Sequence, residues 1–205
     1  MLKKIINELK KHAPFTFLGA TTGIIIMAVI VFANIPSRIS HTLFYTLHPL
    51  HVILSALVTT AMYKRHSKGK LWAVILIGYA GSIGMATLSD AIIPYLGGSL
   101  LGIKIGFHLG FIEKWWLVNP LALAGITLGY WRPITKFPHM GHVLLSTWAS
   151  LFYFTAFGTA NWIPLLPFIL LFLFLAVWIP CCTSDIIFPL LFTSLQKVPP
   201  SRSSK

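Results

Sequence analysis

Two short stretches hold most of the groups that could do chemistry. His48 and His51 stand three residues apart in HPLHVILS, and His139 and His142 stand three apart in HMGHVLLS. The shared pattern H-x-x-H-V-x-L-S puts each pair on one helix face. Further along the same faces come Ser55 and Thr59 in the first copy, Ser146 and Ser150 in the second. A second motif, S-D-x-I-x-P-x-L, also occurs twice, from Ser89 with Asp90 and Pro94 and from Ser184 with Asp185 and Pro189.

Neutral imidazole and carboxylate are ligands for divalent transition metals, with zinc and iron the leading candidates. The sequence therefore predicts two ligand sets, His48, His51 and Asp90, and His139, His142 and Asp185. Proline has no N–H, so Pro94 and Pro189, each four residues after an aspartate, are expected to free its carbonyl at a helix break. Cys181 and Cys182 precede Asp185 on roughly its face and could add thiolate ligands. They are equally small residues suited to packing beside Pro180. Ser55, Thr59, Ser89, Ser146, Ser150 and Ser184 are candidates for a polar path. Glu113 stands beside Trp115 and Trp116, which have the character of an interfacial anchor, and could reach the first set.

The elements that must carry these groups follow from composition. The chain has 205 residues, 56% hydrophobic and only 10% charged, against about a quarter charged in soluble domains. Continuous apolar runs, without the alternation of barrel strands, predict an all-α, polytopic membrane protein. Six transmembrane helices are expected at 15–35, 44–63, 71–96, 117–131, 139–158 and 163–192. Asp90 and Asp185 are the only acids inside them, and an acid in hydrocarbon is costly enough to mark function.

Both motifs recur in the same order, so 15–96 and 111–195 read as two three-helix repeats joined by an outer linker, 97–110. Three spans per repeat make the halves inverted, an architecture common in secondary transporters. Residues 1–14 read as an amphipathic surface helix and 196–205 as a disordered tail. The basic start resembles a secretion signal, but the apolar run after it exceeds a signal core.

The net charge of +12 points to orientation rather than to nucleic acid. With both termini cytoplasmic, every Lys and Arg but Arg38, Lys104 and Lys114 falls inside, the bias expected of a protein of the cell (inner or plasma) membrane. The expected partners are the lipid bilayer and a metal ion, and a homo-oligomer is compatible with the sequence. The leading functional expectation is a transporter or channel for a divalent transition-metal cation. Two alternatives stand beside it: an intramembrane metal-dependent enzyme acting on a lipid-type substrate, and a proton-coupled transporter of an organic solute without metal.

Overall fold

The computed structural model describes residues 2–66, 70–132 and 136–182, the side chains of 2–9, 11, 12, 66, 136–139 and 182 excepted. Its architecture is all-α. α1 (Leu2–Phe32) runs unbroken through Pro14, so the expected surface segment and first span form one helix. It ends on Asn34, whose φ of 51° is the left-handed conformation that asparagine tolerates. Ile35 N–H then reaches back to the Ile30 carbonyl at 3.0 Å, closing the helix end before Pro36 and α2 (Ser37–His66).

α3 (Leu71–Thr87), a π-helical turn (Leu88–Ile92) and α4 (Ile93–Leu100) follow end to end. The expected break at Pro94 is therefore absent, and the chain absorbs the proline by widening one turn. After Gly102, which takes φ 71°, strand β1 (Lys104–Ile105) pairs antiparallel with β2 (Gly158–Thr159). This two-rung ladder ties the linker to the segment that follows the seventh helix. α5 (Gly110–Glu113), α6 (Trp115–Trp131), α7 (Lys136–Phe157), a 3-10 turn at Ile163–Leu165 and α8 (Leu166–Cys182) complete the chain.

Among the described residues, four stretches are long and apolar enough to cross a bilayer: Ala13–Phe32, Ser37–Arg65, Leu71–Leu100 and Ile163–Cys181. The protein is thus a helical membrane protein. α6 has 17 residues, about 26 Å of helix, at the short edge of what hydrocarbon requires. α7 has 22 residues but carries His142, Ser146, Thr147 and Ser150 among them.

Helix α2 is the hub, packed against α7, α6 and α3, while α1 packs on α8 and α7. The α2–α6 contact is backbone to backbone. A Cβ on Gly125 or Gly129 would overlap the carbonyl oxygens of Ile53 and Leu57. Such close approach is how small residues seat helices in lipid. The hub also buries Phe44, Val52, Ala56 and Ala61, together with an unusual set of polar groups.

Candidate functional site

The polar groups converge where α2, α7 and the π turn meet. His48 and His51 lie one turn apart on α2 and point at Asp90, all three 2% exposed or less. Their Nδ1 atoms lie 2.9 and 2.7 Å from Asp90 Oδ2. An ionised carboxylate has no hydrogen to give, so both Nδ1–H groups donate. On the other side, the hydroxyls of Ser89 and Ser146 donate to Oδ1 at 2.6 and 2.8 Å. Asp90 therefore accepts four hydrogen bonds, from three helical segments. A buried acid in this setting is tolerable only when so completely satisfied.

The π turn explains how Asp90 comes to face α2. In α-register the prolyl nitrogen of Pro94 would oppose the Asp90 carbonyl; in π-register, five residues back, it opposes the Ser89 carbonyl instead. That oxygen accepts a hydrogen bond from Ser150 Oγ at 2.9 Å. The carbonyl freed by the proline thus belongs to Ser89 rather than Asp90, and α7 satisfies it. π turns recur at functional sites because they rotate a side chain out of the regular helical series.

His142 of α7 is buried, and its ring centre lies 5.6 Å from that of His51. The second copy of the histidine motif thus meets the first. The sequence pattern predicts convergence within each half, one set per leaflet. In the first half His48, His51 and Asp90 do meet, and Ser146, Ser150 and His142 of the second copy join them there. Phe44 stacks on His48 at 5.4 Å and 10°, closing one side. On the other, Gly110 presses on the ring: a Cβ there would sit 2.6 Å from His48 Cδ2 and 2.9 Å from Nε2. His48 Nε2 is buried with no hydrogen-bond partner among the described residues.

Asp90 meets the imidazoles as a hydrogen-bond acceptor, so it does not share an ion with them in this geometry. Among the described residues no three His, Cys, Asp or Glu side chains form a metal-ligand group. Ser55 and Thr59 are buried further along α2. Cys181 is buried in an apolar cluster with Val143 and Val177, the surroundings of a small hydrophobe. Ser184, Asp185, Pro189 and the side chains of His139 and Cys182 lie outside the described residues.

A second titratable cluster caps the first, and the sequence pattern gave it little weight. Glu113 accepts hydrogen bonds from Tyr45 Oη and from His108 Nδ1, the latter at 2.9 Å. Burial opposes ionisation of Glu113, but the bonds from Tyr45 and His108 outweigh it and hold its carboxyl below the usual carboxylate range. Tyr45 lies three residues before His48, on the same helix face. Its signal was the i, i+3 spacing, masked by the abundance of aromatics. Compared with known protein families, curated proteins and solved structures, the chain matches none.

Proposed function

We propose that the protein is a multi-pass transporter that moves a divalent transition-metal cation across the membrane in exchange for protons. In this reading six helices span the bilayer as two inverted three-helix repeats, with both termini cytoplasmic. The observation that carries the proposal is the junction at Asp90, where histidines from both motif copies meet inside a helical membrane protein.

By accepting both Nδ1–H groups, Asp90 fixes the tautomers of His48 and His51 and leaves their Nε2 lone pairs for a ligand. Metal-binding histidines are commonly oriented by a carboxylate in this way. Asp90 is then the orienting group, and His51 and His142 are the ligands. With zinc–nitrogen bonds of about 2.0–2.1 Å, two imidazoles on one ion have ring centres roughly 5–6 Å apart. The observed 5.6 Å suits that arrangement without movement of the helices. His139 and Asp185 of the second copy are ligand-type residues of the same kind.

Proton exchange follows from charge. A buried carboxylate needs one compensating positive charge, which a second proton on either imidazole supplies, and so does a bound cation. The two loads exclude each other, which is the basis of antiport. The test is uptake of zinc, manganese or iron(II) into proteoliposomes under an imposed pH gradient. Uptake with opposite proton movement, lost in His51→Ala and in His142→Ala, supports the proposal; equal uptake by empty liposomes overturns it.

One observation favours a second reading, a proton-coupled transporter of an organic solute. Asp90 is already saturated by four donors, and no three-residue ligand group lies among the described residues. Proton movement without metal uptake in the same assay selects this alternative.

A further inference from the structure

Away from the histidine cluster, two cavities open one above the other between α1, α2 and α7. The deeper one, about 270 Å³, is lined by isoleucines of α1 together with Ile39, Leu43 and Phe152, and by one hydroxyl, Ser40. The second, about 390 Å³, is mixed: the polar residues Asn34, Ser37, Thr155 and Thr159 line it beside Ile30, Val31, Ile35 and Trp162. Ile30 and Ile35 border both, so the two form one groove with an apolar slot and a polar mouth. Ile25, Val29 and Ile39 are 59%, 57% and 48% exposed, so the slot opens towards the surrounding lipid.

Two hydroxyls in this groove are unaccounted for. Ser40 is 1% exposed and Thr155 7% exposed, and neither Oγ has a hydrogen-bond partner among the described residues. Thr21, Thr42, Thr46, Thr127 and Thr147 bond back to the carbonyl four residues earlier, whereas Thr155, like Thr60 and Thr87, does not. A buried hydroxyl that forgoes a bond carries a desolvation cost. Ser40 in the slot and Thr155 in the mouth are donors placed for an acceptor that the described residues do not supply.

We propose that this groove binds one membrane glycerolipid, with an acyl chain in the slot and the glycerol-ester region in the mouth. Three features select this occupant. The lining carries no charged side chain, which suits ester carbonyls better than a phosphate or an ammonium group. Ester carbonyls accept hydrogen bonds and give none, matching the hydroxyl donors. The polarity changes along the groove from hydrocarbon to hydrogen-bonding, as it does along a lipid from tail to backbone. Trp162 at the mouth is the residue type enriched where tails give way to headgroups. Because the groove rests on both α1 and α7, a bound lipid bridges α1 to the helix carrying His142. The inference does not depend on what the protein transports.

The test uses the whole chain in nanodiscs of phosphatidylcholine containing a trace of photoactivatable lipid with a diazirine in mid-chain. Crosslinks are mapped by peptide mass spectrometry. Labelling should concentrate on Ile25, Val29 and Leu43. It should fall about fivefold or more when both hydroxyls are removed, as Ser40→Ala with Thr155→Val. Val29→Trp, which fills the slot from the lipid side, should abolish it, while the pair of hydroxyl deletions leaves the thermal midpoint in lipid-free detergent unchanged or raised. Labelling spread evenly over exposed apolar residues such as Phe17, Leu76 and Leu171, or unaltered by Val29→Trp, overturns the proposal.

Discussion

Replacing Asp90 by asparagine keeps the shape of the side chain and removes its charge. In the structure its two oxygens accept from His48, His51, Ser89 and Ser146 at 2.6–2.9 Å, with no exposed surface. The amide NH₂ can face the serines, because hydroxyls can turn from donating to accepting. The two imidazole N–H groups would then share one neutral oxygen. Hydrogen bonds to a charged acceptor exceed neutral ones by about 1 kcal/mol or somewhat more, so the pair should lose roughly 2–4 kcal/mol. For a chain of this size that corresponds to roughly 5–15 °C in thermal midpoint. Asp90→Leu, which leaves both buried imidazole N–H groups without their acceptor, should fail to accumulate as folded protein. The assay is thermal melting of the detergent-purified chain, repeated in a His48→Ala/His51→Ala background. There Asp90→Asn should cost less than half as much, since coupled neighbours are not additive. A midpoint within 2 °C of wild type for Asp90→Asn, in the presence of both histidines, would refute the network.

Further outcomes follow from the same contacts. Ser150→Ala leaves the Ser89 carbonyl unsatisfied at the π turn and should cost about 1–3 kcal/mol in the same melting assay, whereas Ser150→Thr should keep most of the stability. Gly110→Ala must displace the His48 ring, so transport in proteoliposomes should fall at least tenfold while the melting midpoint moves by only a few degrees. Glu113 is held below its usual range, so its stabilisation is present above the unfolded-state value and is lost as pH falls through the folded one. Because the group is exposed, the effect should stay under about 1 kcal/mol, and Glu113→Gln should flatten the acid limb of a melting-versus-pH curve. Gly129→Leu drives a side chain into the Leu57 carbonyl and should prevent α6 from seating on α2, read as loss of the monodisperse peak in size-exclusion chromatography.

The helical membrane class was legible because apolar runs the length of a bilayer have few other uses. The pairing of His48 and His51 with Asp90 was legible too, since i, i+3 spacing and a short connection between antiparallel helices leave little freedom. Three features were not. The π turn depends on Ser150 being present on another helix to take the Ser89 carbonyl, a tertiary fact invisible in the local pattern around Pro94. The meeting of His51 with His142 depends on how α7 crosses α2, which two matching motifs do not specify. Symmetry suggested that each half would be self-contained, yet a serine stripe on α7 fits the acid of the other half. The β1–β2 ladder rests on two residues a side, too short for any alternation to register.

The most direct test of the account is equilibrium zinc binding to the purified chain at neutral and mildly acidic pH. The account predicts binding that weakens on acidification and is lost in both His51→Ala and His142→Ala, one from each copy of the motif. Binding that survives either substitution, or that does not compete with protons, would contradict it.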